Sequence, residues 1–471
     1  MFNRINIILI VFLLIVTQAA VFAQAPDTLW TKTFGYPGRL DDTEGAIIMP
    51  DGGLAMVGTS TEQGYLSWLY VVRTNSDGDT LWTRTFDDGT TGQAICPTPE
   101  NGFLTVGVIA ESTFYPYMVN IDSAGNELWS RTYWEWPISG FRSIQPVDDV
   151  GYLIAGYIPS STYSDIFLVR IDLNGDTLWT RTYGGAQAER AWSVKPTSDG
   201  GFVVVGWTES FGNGGSDFYI LKTDQNGDTL WTRTYGDSRN EEARDILETP
   251  DGGFVFSGRT AIPESVYQYY AMKIDSQGDS VWAYADTAIM APGMFQTFTS
   301  ASEGGFTLLG YTWNSIDVYR ISESGAYLWS RKFVGDQIIA GYSRSIIQSE
   351  DGSYFLCGYN NNDIWVVKLA AEQVGIDDNP DLLPNKFTLH QNYPNPFNAN
   401  TRISFALSEP GNVTLSIYDL LGRKLSVLTN GQYEVGEHAL LFEADDLTSG
   451  IYFYNLKVGE LSETKSMILL K

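Results

Sequence analysis

The chain reads as all-β: a seven-bladed β-propeller followed by a small immunoglobulin-like sandwich. Two markers predict the propeller, each recurring seven times. A Leu/Val-Trp pair places tryptophan at Trp30, Trp82, Trp129, Trp179, Trp231, Trp282 and Trp329. A short apolar run ends in glycine at Gly58, Gly107, Gly156, Gly206, Gly258, Gly310 and Gly358. Five residues before each of these stands Gly53, Gly102, Gly151, Gly201, Gly253 or Gly305, with Ser353 as the one substitute. A repeat of about 40–50 residues that divides into four strands is the signature of sheets closed radially.

The fourth unit shows the division. Ala191 to Thr197 is a first strand and Ser198 to Gly201 a turn. Phe202 to Val205 is a β-branched second strand, followed by a loop from Gly206 to Asp217. Phe218 to Thr223 is the third strand, Asp224 to Asp228 a turn, and Thr229 to Tyr235 the fourth. Asp-Gly and Asn-Gly supply the positive φ that tight hairpins need.

The strand count also predicts how the ring closes. Asp27 to Phe34 is a lone outer strand, and Ser343 to Leu369 has three strands without a fourth. Pairing the two completes a seventh blade. The strand–Asn-Gly-Asp–Leu-Trp layout resembles pyrroloquinoline-quinone-type and kelch-like propeller repeats. The quinone enzymes use eight blades and cofactor ligands not found in this chain, so the resemblance extends to architecture only.

In the outer strand, alternation puts Trp179, Arg181 and Tyr183 on one face. The triplet recurs at Trp231/Arg233/Tyr235 and Trp82/Arg84/Phe86. A feature present in every blade reads as scaffold, a tryptophan packed between blades under a stacked guanidinium. The Asp172–Asp176 turn recurs at Asp224–Asp228 and Asp275–Asp279. It resembles the Asp-box of sialidase propellers, with Gly227 four residues before Trp231 rather than three. No cofactor is expected, weak calcium binding at these oxygen-rich turns being the single candidate. Cys96 and Cys357 fall on separate blades and are expected as buried thiols.

The two ends carry addresses. Residues 1–23 read as a secretory signal: Arg4, an apolar stretch from Ile5 to Val16, and small residues at Val21 and Ala23. The propeller spans 24–370, a Pro-interrupted linker 371–386, and a β-sandwich 387–471. In this last segment Asn392-Tyr393-Pro394-Asn395-Pro396-Phe397-Asn398, Thr401-Arg402-Ile403, Tyr418-Asp419 with Gly422, and Gly450-Ile451-Tyr452 occur in order before the terminal Lys471. The set resembles the type A C-terminal sorting domain of the type IX secretion system, with Ala399 where the family has proline. It partly resembles the immunoglobulin-like domain of flagellar hook-capping proteins. The sorting resemblance implies export by the type IX machinery as partner, and a product released or attached at the outer-membrane surface.

Composition narrows the function. Lys+Arg number 29 against 56 Asp+Glu, net −27, which excludes nucleic acid as partner. Residues 24–379 hold 21 basic and 46 acidic residues, so the propeller carries nearly all of this charge. Both histidines, His390 and His438, belong to the tail. No Ser/Cys–His set, zinc spacing, Walker loop or dinucleotide fingerprint occurs. Variable loops between second and third strands, and between blades, share one face. They carry Trp68, Tyr115, Trp134, Trp136, Phe211, Tyr269 and Trp313, with Tyr65, Phe114 and Tyr267 beside them. Aromatics near Glu62, Glu111, Glu135, Glu209, Glu241 and Glu264 suit sugar rings and hydroxyls. The expectation is a surface binding protein for a glycan or protein, with no catalytic residue named. A glycan-active hydrolase or lyase, and a structural surface-layer component, are the alternatives.

Overall fold

The computed structural model describes Phe22, Ala23 and residues 25–370 apart from 63–65, 112, 137–139, 160–162, 263–265, 286–292, 313–314, 334–341 and 361. Beyond 370 it describes 371–469 apart from 373, 376–386, 390–391, 393–394, 396, 408–409, 420–422, 445–446, 449 and 460. The fold is all-β and propeller-like. Four-stranded antiparallel meanders run over 90–132, 140–183, 189–235, 241–285 and 293–333. Residues 39–88 form a similar sheet with a divided first strand.

The second and third strands of a sheet are buried on both faces, which is why they run apolar rather than alternating, whereas the outer strand is largely exposed. Phe202–Thr208 is buried at every residue. Val204 packs toward Leu153, Ala155 and Leu168 of the preceding sheet, whereas Val203 and Val205 pack toward Ala243, Ile246 and Phe256 of the following one. Period-two geometry thus sends successive side chains into two different inter-sheet cores.

A second contact joins neighbouring sheets at the rim. Trp179 and Arg181 of the outer strand lie against the turn of the next sheet at Gly227, whose φ is +79°. A Cβ on Gly227 would stand 2.8 Å from Arg181 Cγ and 3.1 Å from the Trp179 ring. The Tyr183 hydroxyl donates to the Gly227 carbonyl at 2.5 Å, and the Arg181 guanidinium sits 5.5 Å from the Trp179 centroid. Tyr133 makes the same bond to the Gly175 carbonyl, which also accepts from Arg131, and Tyr235 makes it to Gly278. The turn's own aspartate is occupied locally: Asp172 Oδ1 accepts from the backbone of Asn174 and Asp176, each at 2.8 Å.

The expected closure is present. Thr28–Phe34 pairs antiparallel with Asp363–Leu369, giving a sheet ordered from Thr28–Phe34 through 363–369 and 354–360 to 342–348. Phe34 shares a core with Leu54, Met56 and Phe355, and Arg331 donates to the Pro26 carbonyl and, at 2.7 Å, to Thr28 Oγ1. The chain leaves this sheet under a buried ion pair, Arg320 Nε to Glu372 Oε1 at 2.7 Å. Both cysteines are free and buried.

Two strand boundaries differ from expectation. The second strand continues past Gly206 to Thr208, and the first begins at Glu189. Gly206 read as a strand end because glycine weakens strands, yet here it lies inside the ladder, opposite Ala191. The expected linker also contains a short pairing, Val374–Gly375 with Phe22–Ala23.

The carboxy-terminal segment has two sheets, 387–389/400–407/436–443 and 424–433/411–418/450–458/461–469. They share one core, in which Ile403 and Phe405 meet Leu415, Ile417 and Tyr454. The Asn-Pro motif straps onto this core. Buried Asn392 is tied to the domain by two donated bonds, from its Nδ2 to Thr401 Oγ1 at 2.9 Å and from its backbone N–H to the Tyr454 hydroxyl at 2.8 Å. Phe397 bridges to Leu469 in parallel, and Asn395 Oδ1 accepts from Ile468 N at 2.7 Å. Asp419 holds Arg423 at 2.6 Å, Tyr418 lies under Lys424, the Tyr452 hydroxyl donates to the Thr448 carbonyl, and Asn398 is exposed. Tyr393, Pro394, Pro396, Gly422 and Lys471 lie outside the described residues.

Two glycines separate the rim contact from turn strain. Gly200 has φ +82° with nothing within 4 Å of its Cβ position, and Gly227 has nearly the same φ against a packed tryptophan and arginine. Gly200→Val is expected to cost about 1–2 kcal/mol in urea unfolding and Gly227→Val about 1–3 kcal/mol more. Equal losses would mean that the rim contact adds nothing.

Candidate functional site

The repeat glycine fixes the geometry of the central cavity. A Cβ at Gly206 would fall on the carbonyl oxygen of Arg190, and the same holds for Gly107 on Thr91, Gly156 on Gly140 and Gly258 on Glu242. The inner strand crosses so closely because it carries a β-bulge just beyond that carbonyl, between Ala191 and Ser193. A bulge leaves one residue unpaired and re-aims its side chain. The bulged residues are Gln93, Arg142, Trp192, Arg244, Gln296 and Arg344, and Glu44 stands where the divided strand breaks. All seven line one cavity of about 410 Å³.

The wall is cationic and aromatic on one side. Trp192 has the Arg244 guanidinium 3.7 Å and that of Arg142 5.0 Å from its ring centroid. Arg142 and Arg190 lie 5.8 and 4.7 Å from Tyr157, and Arg259 lies 3.8 Å from Tyr267. Glu242 bridges Arg244 at 2.7 Å and Arg259 at 2.6 Å, while Arg344 pairs with Glu44 at 2.9 Å. Burial lowers the Arg244 pKa to about 10 despite Glu242, with Arg259 and Arg344 adding to the fall. Deeper in, Asp245 accepts from Ser193 and Thr297 at 2.8 and 2.9 Å.

The rim aromatics named from sequence fall into separate settings. Trp134 is 55% exposed and meets Tyr115 edge-on at 5.0 Å, the one pair brought together among the described residues. Trp136 stacks on Tyr133 at 4.9 Å and packs against Phe167, so it serves the core. Trp68 lies under Arg39 at 4.4 Å and donates to Asp88, and Phe211 rests exposed on Tyr219. Tyr269 is corrected: it is fully buried, stacked on Phe295 at 4.5 Å with its hydroxyl on Asp317, and offers no surface to a ligand. Trp313, Tyr65 and Glu264 lie outside the described residues.

Carboxylates gather in buried pairs at the corners between sheets. Asp165 and Glu189 flank Gly184, and Asp217 and Glu241 flank Gly236. Glu189 accepts from Gly185 N and Thr208 Oγ1, each at 2.7 Å, so these groups hold the corner backbone. Their recurrence marks scaffold. Among the described residues no three His, Cys, Asp or Glu side chains converge as a metal site would need.

Sequence reading passed over the bulge ring, although its signal was there: each member stands fourteen positions before a repeat glycine, from Glu44/Gly58 to Arg344/Gly358. The position varies in residue type while the offset does not, so a search for conserved letters misses it.

Residues 391–470 match the secretion system C-terminal sorting domain. No curated protein sequence matches the chain. Among solved structures, the chain is similar to PorZ, an essential surface component of the type IX secretion system of Porphyromonas gingivalis, at 11% identity and TM-score 0.46. That alignment covers 93% of this chain and 60% of PorZ, so the chain spans well under the full length of that protein. It is also similar to the periplasmic gluconolactonase PpgL of Pseudomonas aeruginosa (10% identity, 79% and 94% covered, TM-score 0.44) and to a Lactobacillus plantarum protein (12%, 80% and 95%, 0.44). The sorting domain marks the protein as cargo of the type IX machinery, exported and either secreted or attached to the outer-membrane surface.

Two outcomes are expected. Burial pushes the Glu241 carboxyl up to about 7 from 4.5, with Asp237 adding to the rise. The folded protein keeps this proton after the unfolded chain has released it, so the stability it contributes is full below pH 4.5 and lost as pH rises through about 7. Glu241→Gln should flatten that part of the Tm–pH curve, and an unchanged slope would refute the assignment. Separately, truncation after residue 386 should leave the protein in the periplasm on cell fractionation; surface display of the truncated chain would contradict the sorting role.

Proposed function

We propose that the protein is an exported, closed seven-bladed propeller that binds a glycan or protein ligand at the loop-face mouth of its central cavity. An immunoglobulin-like sandwich serves as its sorting signal, and residues 1–23 as its inner-membrane leader. The observation that carries the binding reading is the cavity mouth: seven repeat-equivalent positions hold Glu, Gln, Arg, Trp, Arg, Gln and Arg, while the scaffold positions around them repeat. A scaffold position converges on one residue type, whereas a recognition position is free to differ in each unit. On the loop face the exposed Trp134, with the half-buried Tyr115 edge-on against it, offers a ring face suited to a sugar or a peptide side chain. Trp68 and Phe211 are further contacts on this reading, as is Trp313 from sequence.

Among the described residues that line the cavity, both carboxylates are already partnered, Glu44 by Arg344 and Asp245 by Lys195 and the backbone N–H of Ile246. This supports binding over hydrolysis. The test is retention of the full chain on a panel of insoluble and immobilised polysaccharides, with and without calcium. Selective retention, weakened about tenfold or more by Trp134→Ala, is the expected result, since a stacked aromatic contributes about 1–3 kcal/mol. Retention on no glycan would leave a protein partner, and an inert surface under both screens would leave a structural coat.

A further inference from the structure

The mouth of the cavity holds orphaned polar atoms of complementary kind. Arg142 has no carboxylate partner among the described residues, its hydrogen bond being to the Tyr157 hydroxyl at 3.3 Å. Its Nε is buried without a partner, as are Trp192 Nε1 and Arg244 Nε. These are donors. The amide oxygens of Gln93 and Gln296, acceptors at the two ends of the arc that these donors occupy, are likewise buried and unpaired. Arg142 and Gln93 are neighbours, each 3.5 Å from the Cβ position of Gly140. A buried polar group without a partner costs about 1–3 kcal/mol, and five at consecutive ring positions are an arrangement that a ligand's polar atoms would relieve.

Charge points the same way. In a chain of net −27, this wall concentrates guanidinium groups and holds Arg142 without a counter-charge. The planar fork of arginine matches a carboxylate, and stacking on Trp192 fixes the orientation of that fork. The unpaired amide oxygens call for hydroxyl donors on the same ligand. A cavity of about 410 Å³ is the size of a small-ligand site rather than a groove for a polymer.

We propose that the cavity mouth binds a carboxylated sugar, such as a uronic acid at a chain end. The carboxylate sits on Arg142 and the Trp192 N–H, and the ring hydroxyls donate to Gln93 and Gln296. This rests on the loop-face binding reading and names its ligand class. An acidic peptide offers the carboxylate but not adjacent hydroxyls, so the two unpaired amide oxygens favour the sugar.

Calorimetry on the full chain with trigalacturonate, maltotriose and a glutamate-rich peptide tests this. The expected result is binding of trigalacturonate alone, weakened at least tenfold by Arg142→Gln and several-fold by raising salt from 50 to 500 mM. Arg142→Lys keeps the charge without the fork and should fall between, and Gln93→Ala should weaken the sugar while leaving the melting temperature unchanged. Thermal melts of each variant separate lost binding from lost folding. Equal binding of maltotriose, preference for the peptide, or indifference to both Arg142→Gln and Gln93→Ala would overturn the carboxylated-sugar assignment. Retention on insoluble glycans through Trp134 with no response to trigalacturonate would overturn it as well, while leaving the binding reading in place. Absence of binding in both experiments would remove both.

Discussion

The contact on which this architecture depends is between backbones: the repeat glycine against the inner-strand carbonyl that precedes the bulge. Only a residue without Cβ permits that approach, as Gly107, Gly156, Gly206 and Gly258 show. The bulge it accommodates adds twist near the axis and turns one side chain per sheet inward. One steric condition therefore shapes the sheet and aims the ring. Because the condition concerns the glycine and a carbonyl, the bulged residue itself is free to vary, which lets a uniform frame carry a non-uniform wall.

The outer rim works by the opposite logic. There a tryptophan recurs in every outer strand, followed by a basic residue in all but that of Trp282 and by a tyrosine in three, and these meet a turn glycine or its carbonyl in the next sheet. The contact couples every sheet to its successor. At the join, where no such turn exists, Arg331 reaches the entering chain at Pro26 and Thr28 instead. Inside this frame the buried third-strand cations tie down the first turn of their own sheet, as Lys222 does with Asp199 at 2.8 Å and Arg73 with Asp51 at 2.6 Å.

Much of this was legible in the sequence, and the reason is repetition. Two markers recurring at fixed offsets revealed the sheets, and a lone outer strand at one end with a three-strand set at the other revealed the pairing of Thr28–Phe34 with Asp363–Leu369. The sorting domain was readable because its Asn392, Asn395 and Phe397 are held by specific partners and so cannot drift. The site was less legible. Tyr269 looked like a loop aromatic, but the third strand begins at Val266 and carries it into the core. Trp136 follows an exposed Trp134 by two residues yet stacks inward on Tyr133. The ring at Arg142, Trp192 and Arg244 escaped because a bulge breaks the two-residue alternation from which facing is inferred.

The position of the exit strand has a mechanical consequence for any load applied through the C-terminal segment. Asp363–Leu369, from which the chain departs, is not an edge strand: it is hydrogen-bonded to Tyr354–Asn360 on one side and Thr28–Phe34 on the other. A pull from the tether runs along these strands, loading two ladders in shear at once instead of unzipping one. The Arg320–Glu372 pair lies just outside the last residue and meets the load first. Such a load is shared between two ladders before either strand can leave the sheet.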